Sequence, residues 1–519
     1  MSTDGEGGSG RSRSLVPPAP RPEPAPGHDD VPRNAGLSAG ARRDPAADAY
    51  ARARIAHWDG VARSLDRWQG LGAGYHERLA RVYRSVIPEG RRVVELGCGD
   101  GDLLAALRPA FGVGIDFSGE MLGRAAARHP ELHFVRADAH DLSDLDGEFD
   151  AIVLSDLVND VWDVQGVLEQ VRRFAGRHTR IVVNSYNTLW EAPLSLAARV
   201  RLTKPNLPQN WLTRADVSNL LRLTGFDVVR QWSEVLWPLR TPLVGALCNR
   251  YLVRLWPFRT LALANFFVAR LAPGSGSPAG EPRVSVVVPA RNEAGNVRAI
   301  VERTPEMGGG TEIVFVEGGS SDDTYGAIER EIAADPRRRC RLLRQAGTGK
   351  GDAVRLGFQE ASGEALMILD ADLTVPPEDL PRFFRALAEG KGELINGVRL
   401  VYPMERQAMR FANLLGNKFF SVAFSWLLGQ PVKDTLCGTK ALWRKDYRAI
   451  AAGRAYFGEF DPFGDFDLLF GAARLNLKIA ELPVRYRERT YGSTNIQRWR
   501  HGWLLLRMVA FAAGRVKFV

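Results

Sequence analysis

Short apolar runs alternate with amphipathic stretches along most of the chain, the pattern of buried strands separated by surface helices. In the first half Arg92–Leu96, Phe111–Ile115, His133–Arg136, Ala151–Leu154 and Ile181–Asn184 read as strands, with Phe226–Val229 and Phe266–Ala269 as the last two. Gly119–Arg128 and Val164–Phe174 carry apolar residues at helical spacing between them. Upstream, Ala46–Ile87 reads as helical, with Tyr75, Leu79, Val82 and Tyr83 on one face. The alternation then starts afresh. Val284–Val288, Glu312–Val316, Cys340–Leu343, Ala365–Leu369 and Glu393–Asn396 read as strands, and Gly295–Arg303, Thr324–Ala334 and Gly351–Glu360 as helices. Two such alternations predict an α/β chain of two doubly wound domains. The halves repeat the architecture but not the sequence, which points to fusion rather than duplication.

Between them, Leu271–Pro282 is built of small residues broken by proline and reads as a linker. The expected organisation is a disordered tail over 1–45, one domain over 46–271, a linker over 272–282 and a second domain over 283–519. The tail is rich in Pro, Gly, Ser and Arg and lacks the apolar core of a signal peptide. At 519 residues, 45% of them hydrophobic, the chain can bury two cores. A net charge of +9 allows anionic partners, but no basic block interleaved with aromatics marks a nucleic-acid surface, and no nucleic-acid partner is expected. Cys98, Cys248, Cys340 and Cys437 are scattered without a CxxC pair, which fits a reducing compartment and no structural zinc. No apolar run reaches the ~18 residues of a spanning helix. Phe419–Val432 and Trp503–Gly514 come nearest. They fit either core helices or segments lying at a bilayer interface, so the expected location is cytoplasmic, with peripheral contact at the inner membrane face left open.

Chemistry gathers at strand ends, where open α/β sheets bind ligands. Glu95-Leu96-Gly97-Cys98-Gly99-Asp100-Gly101 closes a strand in a glycine-dense turn that lets a ligand approach the backbone. Asp116 ends the next strand, placed to bond ribose hydroxyls, and Asp138 follows the third, near an adenine edge. The GxGxG spacing differs from the GxGxxG of a dinucleotide site. From Tyr75 to Leu271 these residues resemble class I S-adenosylmethionine-dependent methyltransferases. The resemblance implies a Rossmann-like fold in which Glu95, Gly97, Gly99 and Gly101 surround the methionine moiety, Asp116 the ribose, and Asp138 with Ala139 the adenine. Ser155, Asp156 and Asn159 would face the sulfonium or the acceptor. Candidate bases are His140, Asp156, Asp160 and His178, each also open to a structural role. Trp162 and Trp190 fit either an acceptor pocket or the core.

In the second half Val286–Glu293 and Glu312–Thr324 are strands ending in polar turns, and Gly347-Thr-Gly-Lys-Gly-Asp352 is a cationic loop without Walker spacing. Asp370 and Asp372, one residue apart at a strand end, can share a hard divalent cation, Mg²⁺ or Mn²⁺, that bridges a diphosphate. Lys350 would join that cation in stabilising the departing nucleoside diphosphate. With Val432–Lys440, Ile479–Val484 and Arg489–Ser493, these motifs resemble family 2 glycosyltransferases of the GT-A fold, and within them the dolichyl- and polyprenyl-phosphate sugar synthases. The resemblance implies a nucleotide-sugar donor bound by Pro289, Asn292, Glu293, Glu317 and Asp370, a metal held by Asp370 and Asp372, and Arg489 and Arg498 reaching phosphates. Glu317-Gly318 departs from the family's usual Asp-Asp or Asp-Asn. Asp465 and then Asp467, from Gly458–Asp467, are the candidate bases for a hydroxyl acceptor; a phosphate acceptor needs none. The expected protein joins methyl transfer to glycosyl transfer onto a polyprenyl phosphate or other glycan or lipid acceptor of envelope-glycan synthesis. The alternative is one catalytic half and one binding or targeting half.

Overall fold

The computed structural model describes residues 45–65, 73–143, 145, 147–200, 203, 207–273, 281–399, 411–456, 465–484, 486, 487, 489, 491 and 498–517. Side chains are described throughout these except at 73, 411–418, 455, 465, 498–502, 504, 505 and 516. Almost all of the expected tail, and 274–280 of the expected linker, lie outside the described residues.

Two seven-stranded sheets organise the chain. The first comprises β1 (Arg92–Leu96), β2 (Phe111–Asp116), β3 (His133–Arg136), β4 (Ala151–Ser155), β5 (Arg180–Tyr186), β6 (Phe226–Glu234) and β7 (Ala264–Leu271). Its order is β3-β2-β1-β4-β5-β7-β6, parallel through β5, with β7 antiparallel to both β5 and β6. Alternate residues of the central strands point to opposite faces. Val94, Leu96, Ile152 and Leu154 pack on one side with Val164, Val167, Leu168 and Val171 of the helix Val164–Phe174. Val93, Val153 and Val182 pack on the other with Tyr75, Leu79, Val82 and Tyr83 of the helix Ala73–Val86. Both faces are covered, which is why these strands read as continuous apolar runs.

The second sheet comprises β8 (Val284–Ala290), β9 (Thr311–Glu317), β10 (Cys340–Arg344), β11 (Ala365–Ile368), β12 (Leu394–Val398), β13 (Lys440–Trp443) and β14 (Ile479–Pro483), in the order β10-β9-β8-β11-β13-β12-β14. β8 to β11 are parallel; β13 inserts antiparallel between β11 and β12, and β14 pairs parallel with β12. Here too the faces alternate, with Val287, Val314 and Ile368 in one cluster and Val286, Val288, Phe315 and Met367 in the other. The twelve strands expected from the sequence all form, most of them a residue or more longer. β13 and β14 were not expected. The helix expected at Gly295–Arg303 begins at Val297, after a single 3₁₀ turn over Ala294–Asn296.

Residues 45–519 form one compact unit, and charged side chains knit the two sheets together. Glu393, 3% exposed, accepts from Arg180 Nη2 of β5 at 2.6 Å and from its own half's Lys478 N–H at 2.7 Å, with Arg270 Nη1 of β7 at 3.4 Å. Lys478 Nζ reaches back to Asp227 at 3.0 Å, and the Asn476 side chain donates to the Val86 carbonyl at 2.8 Å. Arg270 also donates to the Gly390 carbonyl at 2.8 Å.

Candidate active sites

At the carboxyl end of the first sheet, Gly97, Gly99 and Gly101 all have positive φ (71°, 54° and 77°), a region L side chains avoid. A Cβ on Gly97 would meet Leu157 Cδ1 at 2.8 Å and one on Gly101 would meet Phe134 Cζ at 2.9 Å, whereas one on Gly99 would meet nothing within 4 Å. The turn is therefore packed below and open above. Asp116 fastens it, accepting from Gly99 N–H at 3.0 Å and Ser118 N–H at 2.9 Å. Burial raises the Asp116 carboxyl above its ordinary pKa despite those hydrogen bonds. Glu95, 2% exposed, is pushed well up by burial and by Asp100 and Asp116, and its Oε2 has no hydrogen-bond partner among the described residues.

Asp138 Oδ1 takes the His140 backbone N–H at 3.0 Å and lies 2.7 Å from His140 Nδ1; His140 Nε2 accepts from Asp163 N–H at 3.1 Å. With both ring nitrogens engaged, His140 is a brace between two loops, and Ala139 beside it is buried. Asp156 follows Ser155 at the end of β4 with φ +56°. It accepts from Tyr75 Oη at 2.8 Å, Tyr186 Oη at 3.4 Å and the Asn184 amide. Tyr83 Oη donates to Asn184 Oδ1 at 2.7 Å, extending the network. Burial and the Asp156 charge hold the Tyr75 and Tyr186 hydroxyls well above their ordinary pKa, so they remain donors. Tyr75 had been read from the sequence only as a packing residue, and Asn184 as the end of a strand.

A second unforeseen part is the helix Pro45–Ser64. Its Arg54 pairs with Asp160 at 3.1 Å, Trp58 Nε1 donates to Asp160 Oδ2 at 2.7 Å, and Asp59 accepts from Ser118 Oγ at 2.5 Å. The helix thus lies over the loops that follow β2 and β4. Asp160 is occupied by these partners. Asn159, fully buried, donates to the Asn210 carbonyl at 2.7 Å and accepts from Tyr186 N–H at 3.0 Å. His178 sits just before β5, at the opposite end of the strands, in contact with Lys445 of the other half. Burial and Lys445 lower its pKa to about 4. It is a junction residue and not part of this site. Trp162 is 47% exposed, edge-on to Tyr50, and Trp190 donates to the Leu261 carbonyl at 2.9 Å.

In the second sheet the strand ends converge around Asp370 and Asp372. Lys350, first residue of the helix Lys350–Glu360, lies 2.5 Å from Asp370 Oδ1. Burial opposes ionisation there, yet Lys350, with Lys440 and Arg399 behind it, holds the Asp370 carboxyl below its usual range. Asp372 accepts from the Thr374 hydroxyl at 2.8 Å and from Arg489 Nη2 at 2.7 Å, and Arg489 Nη1 lies 3.3 Å from Glu293. Burial raises Glu293 above the ordinary carboxylate value. Asn292 takes φ +58°; its N–H donates to Ser320 Oγ at 3.0 Å and its side-chain oxygen accepts from Ser321 N–H at 2.8 Å, joining the loops after β8 and β9. Pro289 lies in β8, in register with Val316. Glu317 accepts from Ser320 N–H at 2.6 Å. Against burial, Ser320 and Gly319 hold its carboxyl below the usual range, so it caps its own loop.

The late motif Val432–Lys440 proves to be the floor of this site. Asp434 takes a bidentate pair from Arg399 at 2.7 and 2.8 Å. A Cβ on Gly438 would stand 2.1 Å from Asp370 Oδ2 and 2.2 Å from Lys350 Nζ, so only glycine permits this approach. Neither Gly438 nor the Arg399–Asp434 pair had been singled out from the sequence. Asp467 is bound to Arg454 at 2.8 Å. Asp465 and Arg498 begin helices, but their side chains lie outside the described residues.

Residues 93–176 match the family described as Methyltransferase domain, and residues 285–450 match Glycosyl transferase family 2. The chain therefore carries a methyltransferase domain of Rossmann-like fold followed by a glycosyltransferase domain of GT-A fold. The chain is 30% identical over 216 residues to the undecaprenyl-phosphate 4-deoxy-4-formamido-L-arabinose transferase of Pectobacterium carotovorum, a match covering 41% of this chain and 62% of that protein. The match thus spans less than two thirds of that relative's length. Among solved structures, glucosyl-3-phosphoglycerate synthase from Mycobacterium tuberculosis aligns with 45% of this chain and 80% of its own at 22% identity and a TM-score of 0.34. A SAM-dependent methyltransferase from Thermotoga maritima aligns with 42% and 98% at 15% identity and a TM-score of 0.33.

Proposed function

We propose that the chain is a bifunctional transferase, with S-adenosylmethionine-dependent methyl transfer in its first half and metal-dependent glycosyl transfer in its second. The observation that carries the reading is the pair of strand-end clusters, one built on a glycine turn and one acidic, each with its own polar network. The first fits S-adenosylmethionine: space is open above Gly99, Asp116 stands at the second strand end, and Glu95 offers a buried oxygen with no hydrogen-bond partner among the described residues. Bound there, the cofactor would supply an electrophilic methyl group. Asp156, held by Tyr75, Tyr186 and Asn184, would orient the acceptor or take its proton.

The second cluster fits a nucleotide-sugar with a divalent ion. Asp370 and Asp372 are hard oxygen donors, and no group of three or more Asp, Glu, His or Cys converges on one point among the described residues. Diphosphate oxygens would therefore complete the shell of Mg²⁺ or Mn²⁺. Such an ion supplies charge to the departing diphosphate, and Lys350 and Arg489 add cationic groups at the same place. Asn292 and Glu293 would line the nucleoside side. A polyprenyl phosphate, the acceptor in the Pectobacterium relative's name, suits this arrangement because a phosphate needs no protein base.

Peripheral membrane contact is supported by exposed apolar side chains beside cations. The segment 235–263, between β6 and β7, exposes Leu243 (88%) and Trp256 (75%) and carries four arginines with no acid. Phe419, Val422 and Trp503 are exposed in the second half. No described helix is long and apolar enough to cross a membrane.

Calorimetry with S-adenosylmethionine should show binding that Asp116→Ala or Gly99→Arg removes; unchanged affinity in both would refute the first assignment. Incubation with UDP- and GDP-sugars, Mg²⁺ or Mn²⁺ and polyprenyl phosphate should give metal-dependent transfer lost in Asp372→Asn. Activity retained by that variant would sink the second.

A further inference from the structure

Away from both strand-end clusters, a concave pocket lies where the two halves meet. Arg78 and Arg81 of the helix Ala73–Val86 line it, with Arg230 and Glu234 of β6, Arg254 of the following segment and Lys517 near the C-terminus. Five cations thus surround a single carboxylate. Glu234 is 1% exposed and fully engaged, accepting from Arg78 at 3.1 Å, Arg254 at 2.5 Å and Trp232 Nε1 at 3.0 Å. Arg81, Arg230 and Lys517 have no ion-pair partner among the described residues, and Arg230 Nε is buried without a hydrogen bond.

A folded chain gathers like charges in a half-buried space at a cost, because each raises the energy of the others where water screens poorly. Burial, with Arg230 and Arg254, pulls the Lys517 ammonium down to about 7, and burial with Arg254 pulls Arg230 to about 10. Arg230 also lies over the Trp232 ring at 4.2 Å, which fixes the plane of its donors. Planar guanidiniums and an ammonium converging on one opening match a tetrahedral oxyanion with several acceptor oxygens. The pocket is small, about 40 Å³, and opens to solvent, so an anion would meet these donors at its mouth.

We propose that this junction pocket binds a phosphate-bearing anion and thereby bridges the methyltransferase and glycosyltransferase halves. The phosphate could come from a soluble compound or from a lipid headgroup, since Arg254 belongs to the exposed apolar segment 235–263. The proposal is independent of either catalytic assignment.

The test is thermal unfolding of the full chain against inorganic phosphate and pyrophosphate, with chloride at matched ionic strength as the control, beside co-sedimentation with phosphatidylglycerol vesicles. Wild type should be stabilised saturably. Arg81→Gln with Lys517→Gln should melt no lower than wild type without ligand, because repulsion is relieved, yet bind the ligand at least tenfold more weakly. Exposed Arg81→Gln alone serves if the double variant does not fold. Loss of the phosphate response identifies a soluble ligand; loss of vesicle binding that phosphate competes away identifies the headgroup. No saturable response to either phosphate species and equal vesicle binding by wild type and variant would overturn the proposal, as would equal responses in both proteins.

Discussion

Glu393→Gln should weaken the whole folded unit, because this one carboxylate faces two arginines of the other half. Arg180 and Arg270 are 10% and 4% exposed in their side chains, and neither can reach bulk water when the charge between them is removed. Breaking a buried pair by deleting one partner costs about 3–5 kcal/mol. The lower end applies here, since Arg270 keeps the Gly390 carbonyl at 2.8 Å and Asp227 at 3.4 Å. At roughly 2.1 cal/mol/K of unfolding entropy per residue, a unit this long that melts as one shifts by about 1 °C per kcal/mol, hence ~3 °C. Urea unfolding followed by circular dichroism measures the loss directly. Arg180→Met combined with Glu393→Met should recover much of it, because no buried charge then faces Glu393's place from β5. A loss below about 1 kcal/mol, or strictly additive single and double variants, would show that the pair does not hold the halves together. The same substitution has a pH signature. Burial and Glu393 raise the Asp446 carboxyl to about 6. A folded pKa above the unfolded value near 3.9 means that stability falls as pH rises from about 4 to about 6. Glu393→Gln should shrink that fall.

His178, held near a pKa of about 4 by burial and Lys445, gives the opposite slope. Its folded pKa lies below the unfolded value near 6.5, so its contribution is present above that value and lost as pH falls toward 4, and His178→Gln should flatten this limb in urea midpoints. Gly438→Ala should reduce nucleotide-sugar turnover at least a hundredfold, since its Cβ falls 2.1 Å from Asp370 Oδ2; near-normal turnover would mean that the Lys350–Asp370 pair is dispensable. Arg54→Ala should release the helix Pro45–Ser64 from Asp160, seen as faster limited proteolysis near residue 65 and weaker S-adenosylmethionine binding by calorimetry. Unchanged proteolysis and affinity would remove the helix from the site.

Strand ends were legible because their chemistry is local: a glycine turn or a pair of aspartates declares itself within a few residues of an apolar run. What surrounds them was not. Tyr75 meets Asp156 across 81 positions, and Trp58 meets Asp160 across 102, with nothing in either local pattern to distinguish a donor from a core aromatic. β13 escaped notice for a different reason. Its four residues begin with Lys440, fully buried, where an apolar residue would have announced a central strand. The junction is the most instructive case. The composition of 272–282 describes a flexible covalent connection, and that is all composition can describe. Whether the connected halves also bind each other depends on single charges such as Glu393 and Arg180, each of which resembles a solvated surface residue in sequence. Covalent linkage makes that association intramolecular, so a modest surface suffices where two separate chains would need a large one. A covalent connection of any stiffness is therefore compatible with a fixed interface, and the buried ion pairs, not the composition of 272–282, are where rigidity between the two candidate sites has to be sought.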